Sequence, residues 1–221
     1  MNLRLLIVGA FLACCLLAGS PEYQRANDLY QRTEYKPAIA TLEKVLNPDA
    51  DTLLLLGRAY FGARDYAKAT ETLEKGAQKA PRSAQMYTWL GRAWGMRAET
   101  SAVWNQPRYA SRAREAFEKV LRDYDPDNGR AFYGLGLIEM DKENLDEALK
   151  YFDRTLRSTS AAPSMKTWSH IYSGHILDFK CDRKAAIEHY RKALESGDDS
   201  RDARRIANRD LAQPFGGECP Q

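Results

Sequence analysis

The sequence predicts an all-α protein built of tandem helical hairpins. Three observations carry this. Leu56-Gly57 recurs as Leu90-Gly91 and Leu135-Gly136, with Ser173-Gly174 a weaker copy. Downstream of each Gly stands an Ala, followed four residues later by a large side chain: Ala69 and Leu73, Ala113 and Phe117, Ala148 and Phe152, Ala186 and Tyr190, with Ala38 and Leu42 an earlier pair. The composition is also rich in charge (29%) and modest in Gly (14) and Pro (9), which favours a helical protein over a sandwich or a disordered chain.

The repeated residues have a physical reading. Gly in a first helix has no Cβ, so a neighbouring helix approaches closely. Ala in the second helix does the same at a tight crossing without the helix penalty of Gly. The large residue fills the space beside them. Pro48, Pro81, Pro126 and Pro163 close most units, because Pro cannot continue a helix.

Taken in order, residues 20–48 form a first unit without Leu-Gly but with the second half EYKPAIATLEKVLNP. Residues 51–81 form the second unit and 84–126 the third. Residues 129–163 form the fourth, whose Ala148, Leu149, Phe152 and Leu156 fall at helical spacing. Residues 167–198 form the fifth. SRDARRIANRDL (200–211) is a last helix with one apolar stripe of Ala203, Ile206, Ala207 and Leu211, suited to capping the array. Residues 213–221 form a tail.

These units resemble the tetratricopeptide repeat, most closely in LLLLGRAYFGARDYAKATETLEKGAQKAP (53–81) and FYGLGLIEMDKENLDEALKYFDRTL (132–156). The resemblance covers nearly everything after the first 19 residues. It implies one solenoid domain over 20–212, a right-handed superhelix of about five hairpins with a capping helix. Its concave groove would be lined by first-helix residues and bind a protein or peptide. By position the groove residues would be Tyr30, Arg58, Phe61, Arg92, Tyr133, Leu137, Met140, Ile171 and His175. That mix suits an extended or helical peptide with an apolar side chain and an acidic group. Tyr23 and Leu55 stand where the family's carboxylate clamp needs a Lys and an Asn.

The third unit departs from the pattern. Gly57 to Gly91 is a period of 34 residues, whereas Gly91 to Gly136 is 45. Shared between two arms, the surplus predicts a hairpin longer by about five residues per helix, or about 7–8 Å. Trp104 and Tyr109 would stand near its tip, either as a contact surface or packed on each other and on Met96.

Residues 1–19 have the layout of a secretory signal peptide: Arg4, an uncharged apolar run from Leu5 to Leu17, then small residues. The run is short of the about 20 residues that a spanning helix needs. An exported protein, periplasmic or secreted, is expected. Lipidation at Cys14 or Cys15 and an uncleaved anchor stay open as alternatives. The formal charge of +3 is too small to imply nucleic acid or an anionic membrane as partner.

Stretches that imitate chemistry do not hold up. DYDPDNG (123–129) has Asn128 and Gly134 where a calcium loop needs Gly and Glu, and reads as a turn between repeats. His170 and His175 lack the spacing of two ligands one turn apart. Gly134-Leu-Gly136 lacks a third Gly and a preceding strand. No metal, cofactor or catalytic group is expected, and the chain reads as a non-catalytic interaction module of a bacterial envelope. The alternative is an accessory subunit whose chemistry lies in its partner.

Export would leave Cys181 and Cys219 in a compartment where disulfides persist. Cys181 falls in the turn of the last hairpin, and the capping helix would end on the same edge, with a short lead from Gln213 to Cys219. The pair is within reach. The alternative is two free thiols, with Cys181 standing where the repeat usually has Gly.

Overall fold

The computed structural model describes residues 20–196 and 201–217; the expected signal peptide lies outside them. The described residues form eleven α-helices and no strand. They are α1 Pro21–Gln31, α2 Tyr35–Leu42, α3 Ala50–Gly62, α4 Tyr66–Lys79, α5 Ala84–Glu99, α6 Gln106–Asp123, α7 Gly129–Asp141, α8 Leu145–Arg157, α9 Pro163–Phe179, α10 Arg183–Glu195 and α11 Arg201–Ala212. A 3-10 turn, Val103–Asn105, joins α5 to α6. The expected five hairpins and capping helix are therefore present.

Sequence signals set the helix starts. Ser20, Asp49, Asp65, Asn128 and Asp182 each accept a backbone N–H in the first turn, at 2.8–3.2 Å. This satisfies donors that have no partner inside the helix. Four hairpins turn through one geometry. The last carbonyls of the first helix are met by bonds such as Asp65 N–H to Tyr60 O and Asn144 N–H to Glu139 O, at 3.0 and 2.9 Å. The residue at each turn is left-handed: Thr33, Arg64, Glu143 and Cys181, with φ of 60–64°. That is a Schellman closure, usually made with Gly; here four side chains occupy the position.

Packing divides the chain into two compact units, one ending at Ala93 and the other beginning at Trp94. The border falls within α5, the helix lengthened by the surplus residues. In unit 1, Ala38, Leu42, Leu55, Ala59, Ala69 and Leu73 are almost wholly buried. In unit 2, Ala148, Phe152 and Ile176 form one core cluster, and Ile171, Ala193, Ala203 and Ala207 form another beneath α11. The repeat glycines do what their register implied: a Cβ on Gly57 would stand 2.5 Å from Leu73 and one on Gly174 2.4 Å from Tyr190.

The 123–129 stretch is a turn between repeats, running over residues 124–128 from the end of α6 to the start of α7. Asp125 accepts from Asn128 Nδ2 at 2.9 Å, and Ser158 donates to the Asp127 carbonyl at 2.6 Å. The first bond closes the turn on itself, and the second ties it to the next one along.

Candidate functional site

In unit 1 the first helices α1, α3 and α5 bring four of the expected groove residues together. The Arg58 guanidinium lies 4.7 Å from the Tyr30 ring and 5.2 Å from the Trp89 ring. Arg92 lies 4.0 Å from Trp89 and 4.8 Å from Phe61. Phe61 in turn meets Trp89 and Tyr66 edge to face, at 5.5 and 5.4 Å. The order Tyr30, Arg58, Trp89, Arg92, Phe61 is a continuous ladder of rings and cations across three helices. Each cation–ring contact stabilises by about 0.5–1 kcal/mol, more where water is excluded.

Trp89 is the residue that sequence reasoning missed. It stands two positions before Gly91, one helical turn from Arg92. The corresponding residue of the second unit is Leu55, 1% exposed and part of the core. Arg58 Nε is buried without a hydrogen-bond partner, and no carboxylate pairs with Arg58 among the described residues. The ladder therefore holds a cation whose hydrogen-bonding capacity is not used up among the described residues.

In unit 2 the expected residues separate. Tyr133, Leu137 and Met140 are half-buried and pack against the Phe152 cluster. Tyr133 meets Tyr172 at 6.5 Å, and Tyr172 stacks on Phe152 at 5.7 Å. Ile171 does not line a groove. It is 0% exposed in the core under α11, because the capping helix covers the face that a further repeat would cover. His175 is also engaged within the chain: its Nε2 donates to Asp210 Oδ2 of α11 at 2.8 Å, and Phe215 lies flat on its ring at 3.8 Å.

Next to His175, Asp178 is wholly buried and accepts from Arg183, from the Tyr190 hydroxyl at 2.8 Å and from the Phe215 N–H at 2.9 Å. Burial and the Asp178 carboxylate hold the Tyr190 phenol above its ordinary pKa. Burial lowers the pKa of His175 despite its bond to Asp210. A second buried ion pair joins Arg114 of α6 to Glu139 of α7. Both clusters tie helices together. Among the described residues, no group of three or more His, Cys, Asp or Glu is arranged to hold a metal.

The lengthened hairpin is present. Helices α5 and α6 have 16 and 18 residues, against 13 and 14 in α3 and α4. At 1.5 Å per residue the arms gain about 5 Å each, less than the sequence estimate because the 3-10 turn takes up part of the surplus. Trp104 and Val103 stand at the tip, 82% and 74% exposed. Tyr109 is not beside them. It stacks on Trp94 at 5.3 Å, with Arg97 over both rings at 4.7–5.0 Å. Trp104 and Tyr109 thus do not pack on each other. Cys181 is disulfide-bonded, and Cys219 lies outside the described residues.

The geometry defines a helical-repeat protein, and comparison with known proteins gives the repeat. A tetratricopeptide-repeat family profile matches residues 54–94 and 108–163, so the chain carries tetratricopeptide repeats there and its described residues take that fold. No curated protein matches by sequence. A thermophilic tetratricopeptide-repeat protein of Thermus thermophilus is 19% identical, over 86% of this chain and 97% of that one, with a TM-score of 0.69. MamA of Desulfovibrio magneticus is 20% identical over 81% of this chain and 97% of that one, with a TM-score of 0.62. Human IFIT1, solved as a dimer with PPP-AAAA, is 19% identical over 86% of this chain and 44% of that one, with a TM-score of 0.72. At these identities the likeness is one of fold. Among the described residues no helix is long and apolar enough to cross a membrane.

Proposed function

We propose that this chain is a non-catalytic protein-binding module, and that the ladder of unit 1 is its peptide-binding surface. The observation that carries this is Arg58, held between Tyr30 and Trp89 with its buried Nε unpaired. The rings offer apolar faces to a side chain, and the guanidinium offers a charge-assisted bond to a carboxylate. The ligand on this reading is a peptide segment pairing an aromatic or aliphatic residue with an acidic one. The tetratricopeptide fold supports the general reading, since it is typically an interaction scaffold.

Trp104 at the hairpin tip is a second contact surface on this reading, because an exposed Trp is a common anchor at interfaces. On this reading the module works in a bacterial envelope, periplasmic or secreted, which the signal-peptide-like layout of residues 1–19 supports. Selection from a displayed random peptide library tests the ladder. Enriched peptides should carry an acidic residue near an apolar one, and Arg58→Ala and Trp89→Ala should each weaken them at least tenfold. Peptides that bind the double variant as tightly as the parent would rule this surface out.

A further inference from the structure

At the end of unit 2, one of the expected groove residues already carries a ring. Phe215 lies flat on His175 of α9, stacked at 3.8 Å and tilted by 11°. The Phe215 N–H donates to Asp178 Oδ2 at 2.9 Å. Asp178 follows His175 by three residues, so one turn of α9 presents an imidazole face and a carboxylate side by side. The ring and the amide of a single residue are engaged together.

This seat is built without Phe215. Arg183 donates to both Asp178 oxygens at 3.0–3.1 Å, and the Tyr190 hydroxyl donates to Oδ2 at 2.8 Å. The buried carboxylate therefore keeps partners when the Phe215 N–H leaves, and no charge is orphaned. The His175 ring is fixed by other groups too. Its Nε2 bonds to Asp210 Oδ2 at 2.8 Å, and the rings of Tyr172 and Tyr190 stand 6.1 and 6.0 Å away.

Phe215 itself is lightly held. It is 40% exposed, while Phe132, Phe152 and Tyr190 of the core are at most 2% exposed. Gly216 and Gly217, which follow it, have open space where a Cβ would stand. A residue that brings one backbone bond and one stacked ring to a finished seat behaves as a ligand rather than as core.

We propose that this seat is a second peptide-binding site, for an aromatic residue of a partner segment, and that Phe215 fills it in cis. The ligand must offer a flat ring to His175 and a backbone N–H to Asp178. The chemistry is the converse of the ladder in unit 1, where a guanidinium awaits a carboxylate; here a carboxylate awaits a donor. A partner segment has to displace Phe215, which a short tether holds at an effective concentration of about a millimolar. The apparent affinity for the partner is lowered by the fraction of seats that Phe215 fills, so the strap sets a threshold that weak aromatic segments do not pass.

The full chain carrying Phe215→Ala provides the test. The probe is a synthetic copy of residues 212–217 with both ends blocked, followed by the NMR shifts of the His175 ring. The peptide should bind the variant at least tenfold more tightly than the parent, in which Phe215 competes. Ala in place of the peptide's Phe should abolish the shift. N-methylation of that Phe should weaken binding at least tenfold, because the donor to Asp178 is gone. A variant whose His175 ring shows no saturable shift, equal affinity of parent and variant, or unchanged binding of either altered peptide would overturn the site. Hydrogen exchange in the parent gives a measurement that does not depend on how the variant folds. The Phe215 amide should exchange through local opening at least a hundredfold faster than the amides in the middle of α9. Protection equal to that of α9 would make Phe215 a fixed part of the core and overturn the proposal.

Discussion

Gly136 of α7 lies so close to Phe152 of α8 that a Cβ added there would stand 2.7 Å from the ring. Phe152 is 0% exposed and has no room to retreat. Gly136→Ala should therefore destabilise by about 1–3 kcal/mol through overpacking, although Ala is the better helix former. In a Phe152→Leu background the same change should cost clearly less. Urea unfolding of the four proteins of this cycle measures the coupling, and additive effects would show that the contact is not what makes Gly136 necessary.

The Gly136–Phe152 pair was legible in the sequence, because the repeat places one side chain against one gap at a fixed separation. The same holds for Gly57 with Leu73 and Gly174 with Tyr190. The candidate site was legible in part. Tyr30, Arg58, Phe61 and Arg92 follow from register, but Trp89 occupies a position that is core in the preceding unit. Ile171 and His175 were misread because their surroundings come from α11 and Phe215, which lie outside the repeat pattern. His170 and His189 could not be paired in advance, since their contact depends on the rotation of α9 against α10.

Thr33 is a β-branched residue at φ 61°, a conformation that costs an L-residue about 1–2 kcal/mol. Thr33→Gly removes that strain and gives back about 0.5–1 kcal/mol in chain entropy. A net gain of about 0.5–1 kcal/mol is expected, or about 1–4 °C in melting temperature. Thr33→Ala keeps the strain and should give no such gain. Calorimetry on the two variants checks this; equal melting temperatures would mean that the turn relaxes around Thr33.

The hairpin tip separates two roles that the sequence placed together. Trp104 is 82% exposed, so Trp104→Ala should change stability by no more than about 0.5 kcal/mol. Tyr109 is stacked on Trp94 beneath Arg97, so Tyr109→Ala should cost about 1–2 kcal/mol. If Trp104 is a contact residue, its variant loses partner binding at unchanged stability. Denaturant titration of both variants gives the stability contrast, and a Trp104→Ala variant as destabilised as Tyr109→Ala would show that the tip is packed in solution.

His170 Nδ1 of α9 and His189 Nδ1 of α10 lie 3.2 Å apart, so one imidazole donates and the other accepts. Protonating both would set two donors, each with a charge, against each other. Burial lowers the pKa of His170 to about 4, with His189 and Lys192 adding to the shift. His189 is lowered as well, by burial and Lys192, against weaker pulls from Glu188 and Asp153. In the unfolded chain both titrate near 6.5. Between about pH 6.5 and 4 the unfolded state therefore binds protons that the folded state refuses. The stability is fully present above about pH 6.5 and is lost as the pH falls toward 4. With allowance for solvent screening, the pair should account for on the order of 1 kcal/mol of that loss. Folding free energies at pH 7.5 and 4.5 for the parent and a His170→Gln, His189→Gln variant measure it. The variant should keep the smaller slope that His175 contributes, since its pKa is also lowered by burial. A variant whose stability falls as steeply as the parent's over that interval would show that the two rings are not buried together in solution.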